Sequence, residues 1–273
     1  VADYVHFENI DLNGRLTVGR GAMVILEKNV TLVSDPTRTT STGDTAIYAA
    51  EGGFVKLGRN IDIEGSVIIQ EANLNMYGDG INVSRQIVVN GGFLGATSDF
   101  VPGVGNIPAG LTTPSLLATQ GAVVNLRNGK FNLDYLRVSG GNVTINSATA
   151  SPISSLETGG IWVNSGGTLT LSLASFVMND KSEAFLNGTI SLWDNSTANI
   201  GIEKNTSFPA LNVLSGSNLR LAQEFQSGRY LLTVQDLEVD WGGIISSNAA
   251  GAGGINNILV ENSITAAYNS FIQ

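Results

Sequence analysis

Asp236, Glu238 and Asp240 alternate with Leu237, Val239 and Trp241. In an extended strand, side chains two apart point the same way, so the three acids would stand in a row on one face. Such a row could hold calcium through its oxygens, or raise one carboxyl pKa far enough for acid catalysis. The plainer role is a solvated outer face opposite an apolar inner one, the commoner place for charge. Asp62 and Glu64 flank Ile63 in the same way. Cleaving a polysaccharide takes two opposed carboxylates, or metal-bound carboxylates with a basic residue that takes the proton. The sequence leaves open whether Asp62, Glu64 and Lys56 or Arg59 meet. Trp162, Trp193 and Trp241 have flat faces that suit sugars, yet aliphatic neighbours suit half-buried packing equally. Trp193, just before Asp194 and Asn195 at a turn, is the one best set for display. His6 reads as an exposed or partly packed residue. The binding candidates are Trp193, Asp236, Glu238 and Asp240, with Pro102 and Pro108 from a loop described below. No catalytic residue, metal ligand or cofactor is assigned.

These residues need elements to hold them, and the elements recur. Blocks reading small, small, any, apolar, any, apolar occur at 21–26 (GAMVIL), 52–57 (GGFVKL), 121–126 (GAVVNL), 140–145 (GGNVTI), 166–171 (GGTLTL) and 216–221 (GSNLRL). Looser copies start at 71, 91, 187 and 197. Successive starts differ by 31, 19, 20, 30, 19, 26, 21, 10 and 19, close to one unit of about twenty residues, or to half or one and a half units. Each block reads as a turn and then a strand, with a second short strand usually following. Asn and Gly at corners such as Gly58, Asn60, Gly78, Gly80, Asn128 and Gly129 tolerate the positive φ of sharp bends. Helix signals are almost absent. The pattern predicts an all-β right-handed parallel β-helix, a β-solenoid of about twenty residues per rung with loop insertions. Eleven to thirteen rungs would make a rod of roughly 50 to 60 Å at ~4.8 Å per rung. A β-sandwich competes, with hairpin turns at Asn13-Gly14, Asp79-Gly80, Asn90-Gly91, Asn128-Gly129 and Asn187-Gly188, but these are too few to join every strand pair.

Four segments break the pattern and read as loops: 34–44, 95–115 (with Pro102, Pro108 and Pro114), 147–159 and 246–254. Loops leaving a stacked core are where contact concentrates. No boundary resembles an interdomain linker, so residues 1–273 read as a single solenoid domain and a piece of a longer chain. Six Asn-x-Ser/Thr triplets, at Asn29, Asn82, Asn142, Asn187, Asn195 and Asn205, fit glycan acceptors. An Asn-, Ser- and Thr-rich outer face also produces such triplets by chance. Asparagines stacked at equivalent corners would instead form hydrogen-bonded ladders between rungs.

Composition narrows the classes further. The 273 residues carry 14 basic and 23 acidic side chains, a net charge of −9, which argues against nucleic acid or an anionic membrane as partner. Hydrophobic residues make up 42% and charged residues only 14%, so disorder is not expected. No apolar run approaches the ~20 residues of a membrane helix, and no signal segment opens the chain, which points to a soluble fragment or mature product without membrane insertion. With no cysteine and one histidine, disulfides, thiolate chemistry and a multi-histidine zinc site are excluded. The aspartate-glycine nonapeptide of calcium-binding β-rolls is missing.

The GAMVIL, GGNVTI, GGTLTL and GSNLRL blocks, with no cysteine, few lysines and outward Asn, Thr and Ser, resemble the β-helical passenger domains of bacterial autotransporters and related surface adhesins. The likeness covers about two-thirds of the chain and lies in period and composition. It implies a non-enzymatic protein, extracellular or on a bacterial cell surface, that displays loops to host cells, matrix, glycans or neighbouring copies. Phage tailspikes and carbohydrate-active solenoids share the pattern, which implies polysaccharide binding or cleavage as the alternative. The autotransporter translocator barrel is not in this sequence, and no family residue motif maps onto its positions. Absence of cysteine fits a passenger that crosses the periplasm without disulfides.

Overall fold

The computed structural model describes residues 4–34, 44–148, 154–164, 166–178, 184–186, 188–201, 206–214, 216–223, 229–239, 242–249, 254–266 and 271–272. Among these there is no helix, and the chain is built of β-strands. It divides into two compact units, Val1–Asp134 and Tyr135–Gln273. All ten repeat blocks coincide with strands, from Met23–Val33 through Phe54–Glu64, Asn73–Tyr77, Phe93–Thr97 and Val123–Arg127 to Asn218–Gln223.

In the first unit the chain passes through three parallel ladders in a fixed order. One aligns Leu16–Val18 with parts of Thr45–Ala50, Ser66–Gln70, Gln86–Asn90 and Ala109–Thr119. The next aligns Val24, Val55, Leu74, Leu94 and Val124. The third aligns Val30, Ile61, Ile81 and Leu111. Members of each column are almost fully buried, and the side chains between them face outward, as alternation in a strand requires. Aliphatic columns of this kind bury each strand's inward side chains against those of its parallel neighbours, at roughly 25 cal/mol per Å² of apolar surface removed from water.

The second unit repeats the arrangement. Val143, Leu169, Ile190, Leu211 and Leu237 align in parallel, as do Leu156, Phe176, Ala198, Leu219 and Ile245. All ten are buried. The ladders just described are all parallel; an antiparallel pairing joins Asp99–Val101 to Gly105–Ile107. The sandwich alternative, with its alternating strand directions, therefore fails, and Asn90-Gly91 turns the chain from one parallel ladder to the next.

Asparagines stack at one corner, Asn60 of the expected corner residues together with Asn9 and Asn29. Asn9, Asn29 and Asn60 have φ of 52°, 51° and 54°. The Asn29 amide donates to Asn9 Oδ1 at 2.7 Å, and the Asn60 amide donates to Asn29 Oδ1 at 3.0 Å. Beside them Gly58 packs against the Glu27 backbone so closely that a Cβ would collide with the Glu27 carbonyl oxygen.

Three of the expected loops shrink. Within 95–115, residues up to Thr97 and from Ala109 onward belong to ladders. Pro114 is tolerated inside the strand Ala109–Thr119 because it falls between Thr112, the last partner in one ladder, and Ser115, the first in the next, where no ladder N–H is required. Likewise Leu156 of the expected loop 147–159 pairs with Phe176, and 246–249 pair with 220–223. Most of 34–44, together with 149–153 and 250–253, lies outside the described residues.

Candidate functional site

The insertion at 98–108 is the clearest departure from the ladders. The chain leaves after Thr97, whose carbonyl accepts from Gly78 N–H at 3.1 Å, and runs out along Asp99–Val101. It then reverses at Val101-Pro102-Gly103-Val104 and returns along Gly105–Ile107. Val104 N–H donates to the Val101 carbonyl at 3.0 Å, and Gly103 has φ of 84°. Proline in the second position and glycine with positive φ in the third define a type II turn. This hairpin re-enters the stack where Ala109 N–H donates to the Asn128 carbonyl and Gly110 N–H to the Gly78 carbonyl, both at 3.0 Å.

Its base is tied by a charge. Arg59 Nε lies 3.6 Å from Asp99 Oδ2, and the arginine stem crosses Gly78, where a Cβ would come within 2.6 Å of Arg59 Cγ. Its outer part presents apolar groups to water: Phe100 is 68% and Val104 73% exposed. Pro102 is exposed between them. Of the predicted site residues, Pro102 sits at the turn and Pro108 at the hairpin's foot. Phe100 and Val104 were not singled out from sequence, although a Pro-Gly pair flanked by Phe100, Val101 and Val104 is itself a hairpin signal.

Next to Pro108 runs a groove of about 370 Å³, lined among others by Asp79, Asn82, Thr112, Lys130 and Asn132. All five are exposed, outward-facing positions. Asn82 donates to Asp62 Oδ1 at 2.8 Å. Thus Asp62 has an amide partner on the neighbouring rung. Lys56 lies 3.7 Å from Glu27, which also lies 3.8 Å from His6, and 5.2 Å from the Tyr77 ring centre. Arg59 turns to Asp99. Neither base is paired with Asp62 or Glu64.

The other candidates lie in the second unit. Asp236 is exposed and accepts from Ser263 Oγ at 2.7 Å; Glu238 is half-buried, and Leu237 and Val239 between and beyond them are buried. The expected alternation of acid outward and aliphatic inward holds at these positions, while Asp240 and Trp241 lie outside the described residues. Trp193 is 43% exposed and precedes a turn through Asp194 and Asn195, with φ of 54° and 58°. Asp194 accepts from Ser172 Oγ at 2.7 Å, which fixes that turn to the preceding rung. Trp162 is half-buried: Tyr135 stacks on it at 5.3 Å between ring centres and 4° between planes, and the Arg137 guanidinium lies 3.9 Å from its ring centre.

No protein-family model, curated protein or solved structure matches this chain.

Proposed function

We propose that this chain is a closed, right-handed parallel β-solenoid of a bacterial cell surface, non-enzymatic, and that it adheres to host cells or matrix through the hairpin 98–108. The observation that carries the reading is the hairpin's exposed Phe100 and Val104 on a segment that interrupts no ladder: Leu94 pairs with Leu74 before it, and Leu111 with Ile81 after it. Exposed large apolar groups on a projecting element mark contact surfaces, because burying them against a partner recovers transfer free energy that a monomer forgoes. Two further features support display. The turn is pre-set by proline and glycine, so little ordering entropy is lost on contact. The parallel ladders beneath continue in register, as stacked coils would.

Replacing 99–107 by a short Gly-Ser bridge is the direct test. The bridged chain is expected to keep its far-ultraviolet circular dichroism and melting temperature, and to lose at least tenfold in binding to immobilised collagen, fibronectin, laminin or fixed epithelial cells. Equal binding by the bridged chain would remove the hairpin from the reading; no binding by the intact chain to any of these surfaces would remove adhesion itself. Release of new reducing ends from polysaccharides would overturn the non-enzymatic assignment.

A further inference from the structure

The groove beside the hairpin has a chemistry different from the hairpin's tip. Its floor comes from strands in adjacent rungs. Asp62 is in register with Asn82, and Asn82 with Thr112, and all three point outward between buried neighbours: Ile61 and Ile63, Ile81 and Val83, Leu111 and Thr113. Lys130 and Asn132 continue the lining, Asp79 closes one part of it, and Pro108 supplies a non-polar ring. Side chains at equivalent positions of a parallel ladder repeat at ~4.8 Å, close to the length of one pyranose unit in an extended glycan.

We infer that this groove binds a neutral oligosaccharide, laid along Asn82 and Thr112 and against Pro108. Sugar hydroxyls both donate and accept, and the lining matches them in kind: amides at Asn82 and Asn132 offer both functions, Thr112 offers a hydroxyl, and Asp79 accepts. The Asn82 amide is already oriented by its bond to Asp62, so it meets a ligand without first losing side-chain freedom. Pro108 provides the apolar patch on which the C–H face of a sugar ring packs. A volume of about 370 Å³ lies at the small end of the ~300–1,000 Å³ of ligand sites, enough for one or two rings with the rest of a chain continuing over the ladder. Electrostatics select for neutrality. The lining carries one basic side chain, Lys130, and one acidic, Asp79, so its formal charges cancel, and a chain of net charge −9 repels polyanions at a distance. Polyuronates and sulfated glycans are therefore disfavoured.

This inference rests on reading the hairpin face as a recognition surface, and it gives that surface a ligand class. The test is an array of neutral oligosaccharides (glucan, mannan, galactan and chitin types) beside acidic ones, probed with the intact chain, Asn82→Ala, Thr112→Val, Asn132→Ala and Phe100→Ser. Signal is expected on neutral glycans only. It should fall at least tenfold in Asn82→Ala and Thr112→Val, fall in the exposed-site variant Asn132→Ala, and stay unchanged in Phe100→Ser. Unaltered circular dichroism separates lost contacts from lost folding, and Asn132→Ala keeps the test decisive if Asn82→Ala disturbs its rung. Absence of neutral-glycan binding, preference for acidic glycans, or indifference to all three groove substitutions would overturn the inference. Hairpin-dependent binding to matrix or cells alongside a blank array would overturn the glycan site while leaving the adhesion reading in place.

Discussion

Replacing Asn29 tests what holds the rungs together at a corner. Its side chain donates to Asn9 and accepts from Asn60, so one substitution removes two hydrogen bonds from a three-member ladder. Both lie at the surface, where water competes, and each contributes about 0.5 kcal/mol, the low end for a net hydrogen bond. The backbone adds a second cost. Asn29 has φ of 51°, a conformation asparagine tolerates and alanine adopts at a cost of about 1 kcal/mol or more. Asn29→Ala should therefore destabilise by about 2 kcal/mol, and Asn29→Gly, which loses the bonds but accepts the positive φ, by about 1 kcal/mol. Urea unfolding followed by circular dichroism reads both as shifts in the midpoint at unchanged slope. The order intact, glycine, alanine is the essential outcome. Glycine as costly as alanine would mean that the backbone conformation is unstrained for alanine; glycine as stable as asparagine would mean that the amide ladder contributes nothing.

Substitutions at two further positions probe the hairpin base and the aromatic stack. Arg59→Ala removes a partly exposed ion pair worth about 0.2–1 kcal/mol, so global unfolding should hardly move, while amide hydrogen exchange across 99–107 accelerates up to roughly fivefold; unchanged exchange would show that Asp99 does not tether the hairpin. Trp162→Ala gives up ring stacking with Tyr135 and the Arg137 contact, each worth about 1 kcal/mol beyond lost burial, whereas Trp162→Phe keeps a ring in place and should retain more than half of the stability difference; equal losses would refute stacking as the source.

How much of this was legible in the sequence follows from how local each feature is. A six-residue block carries its own turn and its own alternation, so all ten strands could be read where they stand. Block spacing carried more than a period. The step of 30 residues, from 91 to 121, spans the hairpin at 98–108, so it is one repeat of about twenty plus that insertion. The length of the second loop was overestimated because proline and glycine were read as breaking the ladder, whereas Pro114 sits where two ladders hand over. Site chemistry was less visible. Asn82 and Asn132 are fifty positions apart and line one groove, a proximity set by which corner each rung turns. Lys56 and Arg59 could be named as bases near Asp62, but only cross-rung register sends them to Glu27 and Asp99.

Register also explains why an insertion here is cheap. On either side of the hairpin the buried columns are unshifted, since Leu94 stays opposite Leu74 and Val124, and Leu111 opposite Ile81. An insertion that slipped one strand by a residue would turn its aliphatic set outward and expose an entire rung. One that leaves and returns at a corner costs only loop closure, which grows as about (3/2)RT ln n and so adds roughly 0.6 kcal/mol for each doubling of length. Antiparallel pairing within the hairpin offsets part of even that. Length and sequence at this corner are therefore nearly uncoupled from the stability of the ladders, and Phe100 and Val104 are free to be chosen for contact. The groove is coupled in the opposite sense. Asn82 and Thr112 alternate with core residues, and their spacing is the spacing of adjacent strands in the ladder. A ligand class matched to that repeat can be altered by exchanging outward side chains, while the interval between them stays fixed.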